Sequence, residues 1–91
     1  MLVQSRFGIV GNFELVYPAV GGGIGVMWRN NDAPGNPWSP SSVFGQSLGR
    51  VDALTMVQSS YDNLEVVARV GDRLHSFWRG SDGWNGPSLL L

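Results

Sequence analysis

The chain has no cysteine, no lysine and a single histidine, and no apolar run in it is long enough to cross a bilayer. Each absence removes a class of protein. Without cysteine there are no disulfides, thiolate metal sites or cysteine nucleophiles, and the redox compartment stays open. A spanning helix takes about 20 apolar residues. Met1 is not followed by a basic start and an apolar stretch, so neither membrane insertion nor a signal peptide is expected. Charged residues make up 14% of the chain and the net charge is −1, too little positive charge for a nucleic-acid partner. The six cations, all arginine, are spread along the sequence instead of forming a phosphate-tracking patch. Neither a metal nor a cofactor is expected. Helical periodicity is also missing, and thirteen glycines and five prolines in 91 residues interrupt what remains, so no helix is expected.

What the chain has instead is a repeat of itself. Gly11-Asn-Phe-Glu-Leu-Val-Tyr, Val26-Met-Trp-Arg and Pro37-Trp-Ser-Pro-Ser return as Asp62-Asn-Leu-Glu-Val-Val-Ala, Ser76-Phe-Trp-Arg and Gly83-Trp-Asn-Gly-Pro-Ser. Leu2-Val-Gln-Ser returns as Met56-Val-Gln-Ser. A self-similar unit of roughly fifty residues marks a repeat architecture. The second copy is the shorter one. It closes up where Arg6 to Asn12 faces Ser60 to Asn63 and where Asn30 to Pro37 faces Gly80 to Gly83, in turn-rich stretches that tolerate changes of length.

Each copy contains four short segments rich in Val, Leu, Phe, Trp and Tyr and bounded by Gly, Asn, Asp and Pro, which is the pattern of strands and turns. Strands are expected at Leu2 to Ser5, Phe13 to Tyr17, Ile24 to Arg29 and Ser42 to Phe44, and again at Val51 to Ser59, Leu64 to Val70, Leu74 to Arg79 and Ser88 to Leu91. Met27-Trp28, Phe77-Trp78, Val16-Tyr17 and Val66-Val67 put large apolar groups on both faces of a strand. A sheet covered on one side only would alternate apolar with polar. The expected fold is therefore all-β: two four-stranded antiparallel propeller blades, residues 1–48 and 49–91. Two blades alone leave apolar sheet faces in water at about 25 cal/mol per Å². The chain is thus expected to complete a propeller by homo-oligomerisation, as a trimer of six blades first and a tetramer of eight next.

The second copy, from Asn63-Leu-Glu-Val-Val-Ala through Leu74-His-Ser-Phe-Trp-Arg to Gly83-Trp-Asn-Gly-Pro, resembles the blade consensus of bacterial lectins of the Photorhabdus lectin type. The resemblance implies a lectin that binds fucose-type monosaccharides between adjacent blades. Two-blade relatives of that type assemble as trimers. The chain departs from the consensus in carrying Arg29 and Arg79 where the family often has glutamine, and Pro40 and Pro87 near the position of its last tryptophan.

The residues themselves supply chemistry for a sugar. A pyranose stacks its C–H face on tryptophan, and its hydroxyls suit arginine and carboxylates. Trp38, Trp84, Arg29, Arg79, Asp32 and Asp82 cluster at or after the third strand of each copy, with Trp28, Trp78, Glu14 and Glu65 as further candidates. Each has a plainer reading. Trp28 and Trp78, in mid-strand, read first as packing between blades. Arg29 and Arg79 read as surface partners of Asp32 and Asp82, and Glu14 and Glu65 as bonds to the next blade.

An enzyme has little support. His75 faces Gly25 in the other copy, and Asp72, His75 and Ser76 do not converge along one strand. Glu14 and Glu65, on successive blades, are expected too far apart for a glycosidase pair. A third reading is an engineered or vestigial two-blade scaffold that assembles without a ligand. It is suggested by a first strand that starts at Met1 without the counterpart of Gly49-Arg-Val-Asp-Ala.

Overall fold

A computed structural model describes residues 1–59 and 63–91. It contains two antiparallel four-stranded sheets in simple meander order. The first holds β1 (Leu2–Gln4), β2 (Phe13–Pro18), β3 (Ile24–Arg29) and β4 (Ser42–Phe44). The second holds β5 (Ala53–Gln58), β6 (Leu64–Val70), β7 (Arg73–Gly80) and β8 (Gly83–Leu89). Seven of these lie where the sequence places them, to within a few residues at their ends.

Two expectations are corrected. β8 begins at Gly83, not Ser88, because Ser81-Asp82 forms a two-residue turn that lets Gly83 pair with Gly80 and Trp84 with Arg79. In the first copy the longer 30–37 loop leaves only one isolated bridge, Arg29 to Trp38, at the same place. The connection between the sheets also winds one short 3-10 turn, Gln46–Leu48. The shortened loop facing Arg6 to Asn12 falls largely on 60–62, outside the described residues.

The repeat is structural as well as textual. The Ser5 N–H donates to the Asn12 carbonyl at 2.8 Å, and the Ser59 N–H donates to the Asn63 carbonyl at 2.8 Å. Gly71, at φ 61°, opens the two-residue β6–β7 turn that sets Val70 opposite Arg73, a conformation that glycine adopts without steric cost.

Cross-strand register assigns every side chain to a face, since paired residues share one. In the first sheet Val3, Glu14 and Trp28 line up, as do Val16 with Val26 and Ile24 with Phe44. This face turns inward. In the second sheet the inward face carries Met56, Val66 and Phe77 in one row and Leu54, Ala68 and His75 in another. Val16, Ile24, Leu64, Val66 and Ala68 are fully buried where these faces meet, with Met56 and Phe77 nearly so. Phe44 bridges the sheets, edge-on to Phe77 at 5.2 Å and stacked on Trp84 at 4.3 Å. The other face of each sheet remains open. Phe13, Leu15, Tyr17, Met27 and Arg29 lie on that of the first, and Glu65, Val67, Arg69, Ser76 and Trp78 on that of the second.

Position 25 shows how one strand register accommodates both copies. The Tyr17 ring lies across Gly25, where a Cβ would overlap it. At the corresponding pair of the second sheet the bulk is exchanged, with Ala68 small and His75 large.

Truncating the buried Leu64 to alanine is expected to lower the unfolding free energy by about 2–5 kcal/mol. Replacing Ile9, which is 96% exposed, should change it by less than about 0.5 kcal/mol. Urea denaturation followed by tryptophan fluorescence distinguishes the two, and equal effects would contradict this placement of the core.

Candidate functional site

β2 carries Glu14 to the inward face of the first sheet, directly opposite Trp28 on β3. Leaving that face, Glu14 meets Arg79, which the β7 register delivers from the second sheet. The Arg79 guanidinium stands 3.5 Å from Glu14 Oε1 and 5.1 Å from the centre of the Phe7 ring, over its face. Glu14 is a buried carboxylate at 1% exposure. Its Oε2 accepts from the Ser5 hydroxyl at 3.1 Å, whereas Oε1, equally buried, receives no hydrogen bond among the described residues. An orphaned acceptor in a water-poor site is costly unless something donates to it.

Burial raises the Glu14 carboxyl above its ordinary value, opposed by the Ser5 hydrogen bond and by the charge on Arg79. Desolvation disfavours the charged form more than one hydroxyl and one cation at this distance favour it.

Two adjoining clefts open along this seam, and both are lined by Trp28 and Arg79. One, of about 160 Å³, is completed by Phe7, Asn12 and Glu14. The other, of about 210 Å³, adds Ser42, Phe44 and Trp84. Each is smaller than the roughly 300 Å³ at which drug-sized sites begin, so the seam is scaled to one small polar ring. Trp28 is 38% exposed, which leaves it available as a stacking wall.

The ten residues singled out in the sequence divide. Glu14, Trp28, Arg79 and Trp84 meet at the seam between the sheets. Glu65 and Trp78 share the open face of the second sheet, and Arg29 and Trp38, joined by their bridge, share that of the first. Asp32 and Asp82 belong to neither group. Asp32 closes the β1–β2 loop by accepting the Ile9 and Val10 N–H groups at 2.7 and 2.8 Å, which hold its carboxyl below the usual range. Asp82 accepts from the Asn85 amide at 3.3 Å within the β7–β8 turn.

Two of the plainer readings are corrected here. Arg79 pairs with Glu14 and not Asp82, because β7 runs on through Gly80 and aims its guanidinium across the seam. Arg29 instead donates to Asn31 at 2.7 Å and lies over the Phe13 ring. In the single chain Trp28 and Trp78 are 38% and 47% exposed. Trp84 is no loop residue but a β8 side chain packed against the core. Sequence reasoning missed Phe7 and Asn12. Phe7 lies in the 6–12 stretch whose length differs between the copies, where the repeat gives no fixed alignment, whereas Asn12 recurs as Asn63 and was there to be found.

Searches against protein-family profiles, curated proteins and solved structures found no match to this chain.

A raised carboxyl that is protonated more readily when folded makes folding more favourable at low pH, and this contribution fades as pH rises through the folded-state value. Wild type is therefore expected to lose stability relative to Glu14→Gln as pH increases from about 4.5, the ordinary value for this carboxyl. Parallel denaturation series across that range test it, and a gap between the two proteins that does not vary with pH would refute the assignment.

Proposed function

We propose that the protein is a carbohydrate-binding, lectin-like β-propeller unit whose two sheets are blades of a ring formed with further copies of itself, and that each ligand is a monosaccharide held in the groove between blades. The observation that carries the reading is the buried Glu14 carboxylate, whose Oε1 has the 3.5 Å ion pair to Arg79 but no hydrogen bond among the described residues, in a cleft walled by Trp28 and Arg79. A sugar presents what this combination lacks. Its hydroxyl donates to Glu14 Oε1, a neighbouring hydroxyl accepts from Arg79, and its C–H face lies on Trp28. The resemblance of the repeat to the Photorhabdus lectin type supports the sugar class, with fucose and its relatives as first candidates. A ring of six blades from three chains, then one of eight from four, remains the proposed assembly. Several weak grooves on one ring add avidity without tighter single contacts.

We propose binding without turnover. Glu14 points into the seam and Glu65 to the opposite side of the second sheet, so the two carboxylates do not flank one bond as glycoside hydrolysis requires.

Isothermal titration with methyl fucoside, backed by a glycan array, tests the reading. Binding at the Glu14–Trp28–Arg79 groove should fall at least tenfold in Trp28→Ala while the circular dichroism spectrum and the particle mass stay those of wild type. An array without signal for any monosaccharide would leave a ligand-free scaffold as the better description. Hydrolysis of aryl glycosides that vanishes in Glu14→Gln would replace binding by catalysis.

A further inference from the structure

The seam joins unlike faces. The first sheet contributes its Glu14–Val16–Trp28 face, the second its Leu64–Val66–Phe77–Arg79 face. Under the repeat, Glu14, Val16, Ile24 and Trp28 correspond to Glu65, Val67, Leu74 and Trp78, and all four of these lie on the open face of the second sheet. Leu64, Val66, Phe77 and Arg79 correspond to Phe13, Leu15, Met27 and Arg29, which all lie on the open face of the first. At these four positions each uncovered face therefore carries residue types like those of a face buried within the chain, in the same register, although Val26 and Pro18 are replaced by Ser76 and Arg69. Val16 and Ile24 are completely buried at the seam, whereas their counterparts Val67 and Leu74 line a shallow apolar hollow of about 230 Å³ on the molecular surface. The exchange of bulk between Tyr17–Gly25 and Ala68–His75 falls on these same two corresponding faces, one open and one buried.

We propose that the open face of the second sheet docks on the open face of the first sheet of a second copy of this chain, with Glu65 of one copy against Arg29 of the next. This junction repeats the Glu14–Arg79 contact and builds a second groove from Glu65 and Trp78 of one copy and Arg29 and Trp38 of the next. The inference rests on the ring assembly proposed above and specifies the contact that closes it. The occupant is a second copy because the chain already contains both halves of the joint, and the charges match. Glu65 takes the carboxylate's place and Arg29 the guanidinium's. The contact is heterologous, so each added copy presents the same free face as the last and a ring follows where the rotation closes. The second groove exists only in the assembly. A chain alone carries one groove and an assembled chain two.

Light scattering on wild type, Glu65→Arg, Arg29→Glu and the double variant tests the joint, with methyl fucoside titrated into each. Wild type should run as a multiple of 9.9 kDa. Each single variant sets like charges against each other in a closing interface and should fall to one chain, with its sugar stoichiometry halved to one per chain. The double variant restores opposite charges and should recover both mass and stoichiometry. Both positions lie on open faces outside the core, so far-ultraviolet circular dichroism that matches wild type confirms folded single chains. If only a single variant misfolds, Val67→Arg supplies the same test of the face. A wild type of one chain, or an oligomer that both single variants leave intact, overturns the joint. The lectin reading fails separately, when no sugar binds although the masses change as described.

Discussion

A sheet that is apolar on both faces is unsatisfied until something covers each of them, and this constraint governs the whole molecule. The first sheet covers one face of the second, and the chain gains its core from that contact. The same pairing leaves two faces behind. These are not generic hydrophobic surfaces, for they carry the partner halves of the contact already made. Nor are they uniformly greasy, since each also bears a charge that corresponds to one half of Glu14 and Arg79. The pair marks register within the chain, because a slip of one residue would move Glu14 and Val16 out of the seam and turn Leu15 and Tyr17 into it. Burying a carboxylate beside an arginine adds little net stability compared with an apolar pair, and its better-attested use is specificity of arrangement.

That economy explains why structure and proposed function occupy the same residues. A seam between sheets closes tightly where Val, Leu, Ile and Ala meet, and it gapes at its end, where Trp28 and Arg79 are too long to interlock. The gap inherits the polar groups of the register pair. A groove lined by a tryptophan face, a guanidinium and a half-satisfied carboxyl thus arises from the way the two sheets meet. In the proposed ring, repetition of the joint multiplies the groove, as the proposed recognition of a monosaccharide requires.

Much of the fold was legible in the sequence because the repeat supplies its own alignment. With Glu14 matched to Glu65 and Trp28 to Trp78, the length differences at 6–12 and 30–37 separated loops from strands without other information. Met27-Trp28 and Phe77-Trp78 promised large apolar side chains on both faces of a strand, and the register places them so. Less was legible where tertiary placement overrides local pattern. The Pro and Gly around Trp84 read as loop, although the tight Ser81-Asp82 turn carries that tryptophan into β8. Proximity in sequence suggested that Arg79 would pair with Asp82, whereas strand direction sends it to Glu14 across the seam. The ten candidate site residues were not grouped in the sequence as the fold groups them. Four of them meet at the seam within the chain and four divide between the two open faces, a grouping that depends on face pairing, which no single copy of the repeat displays.

Small-angle X-ray scattering on the wild-type protein tests the covering of the open faces most directly. One chain has a radius of gyration of 13.1 Å. The account predicts a particle distinctly larger than this at micromolar concentration, with a pair-distance distribution of a ring around a central hollow. A dilution-independent radius equal to the single-chain value would contradict it, because the two apolar faces would then be stable in water.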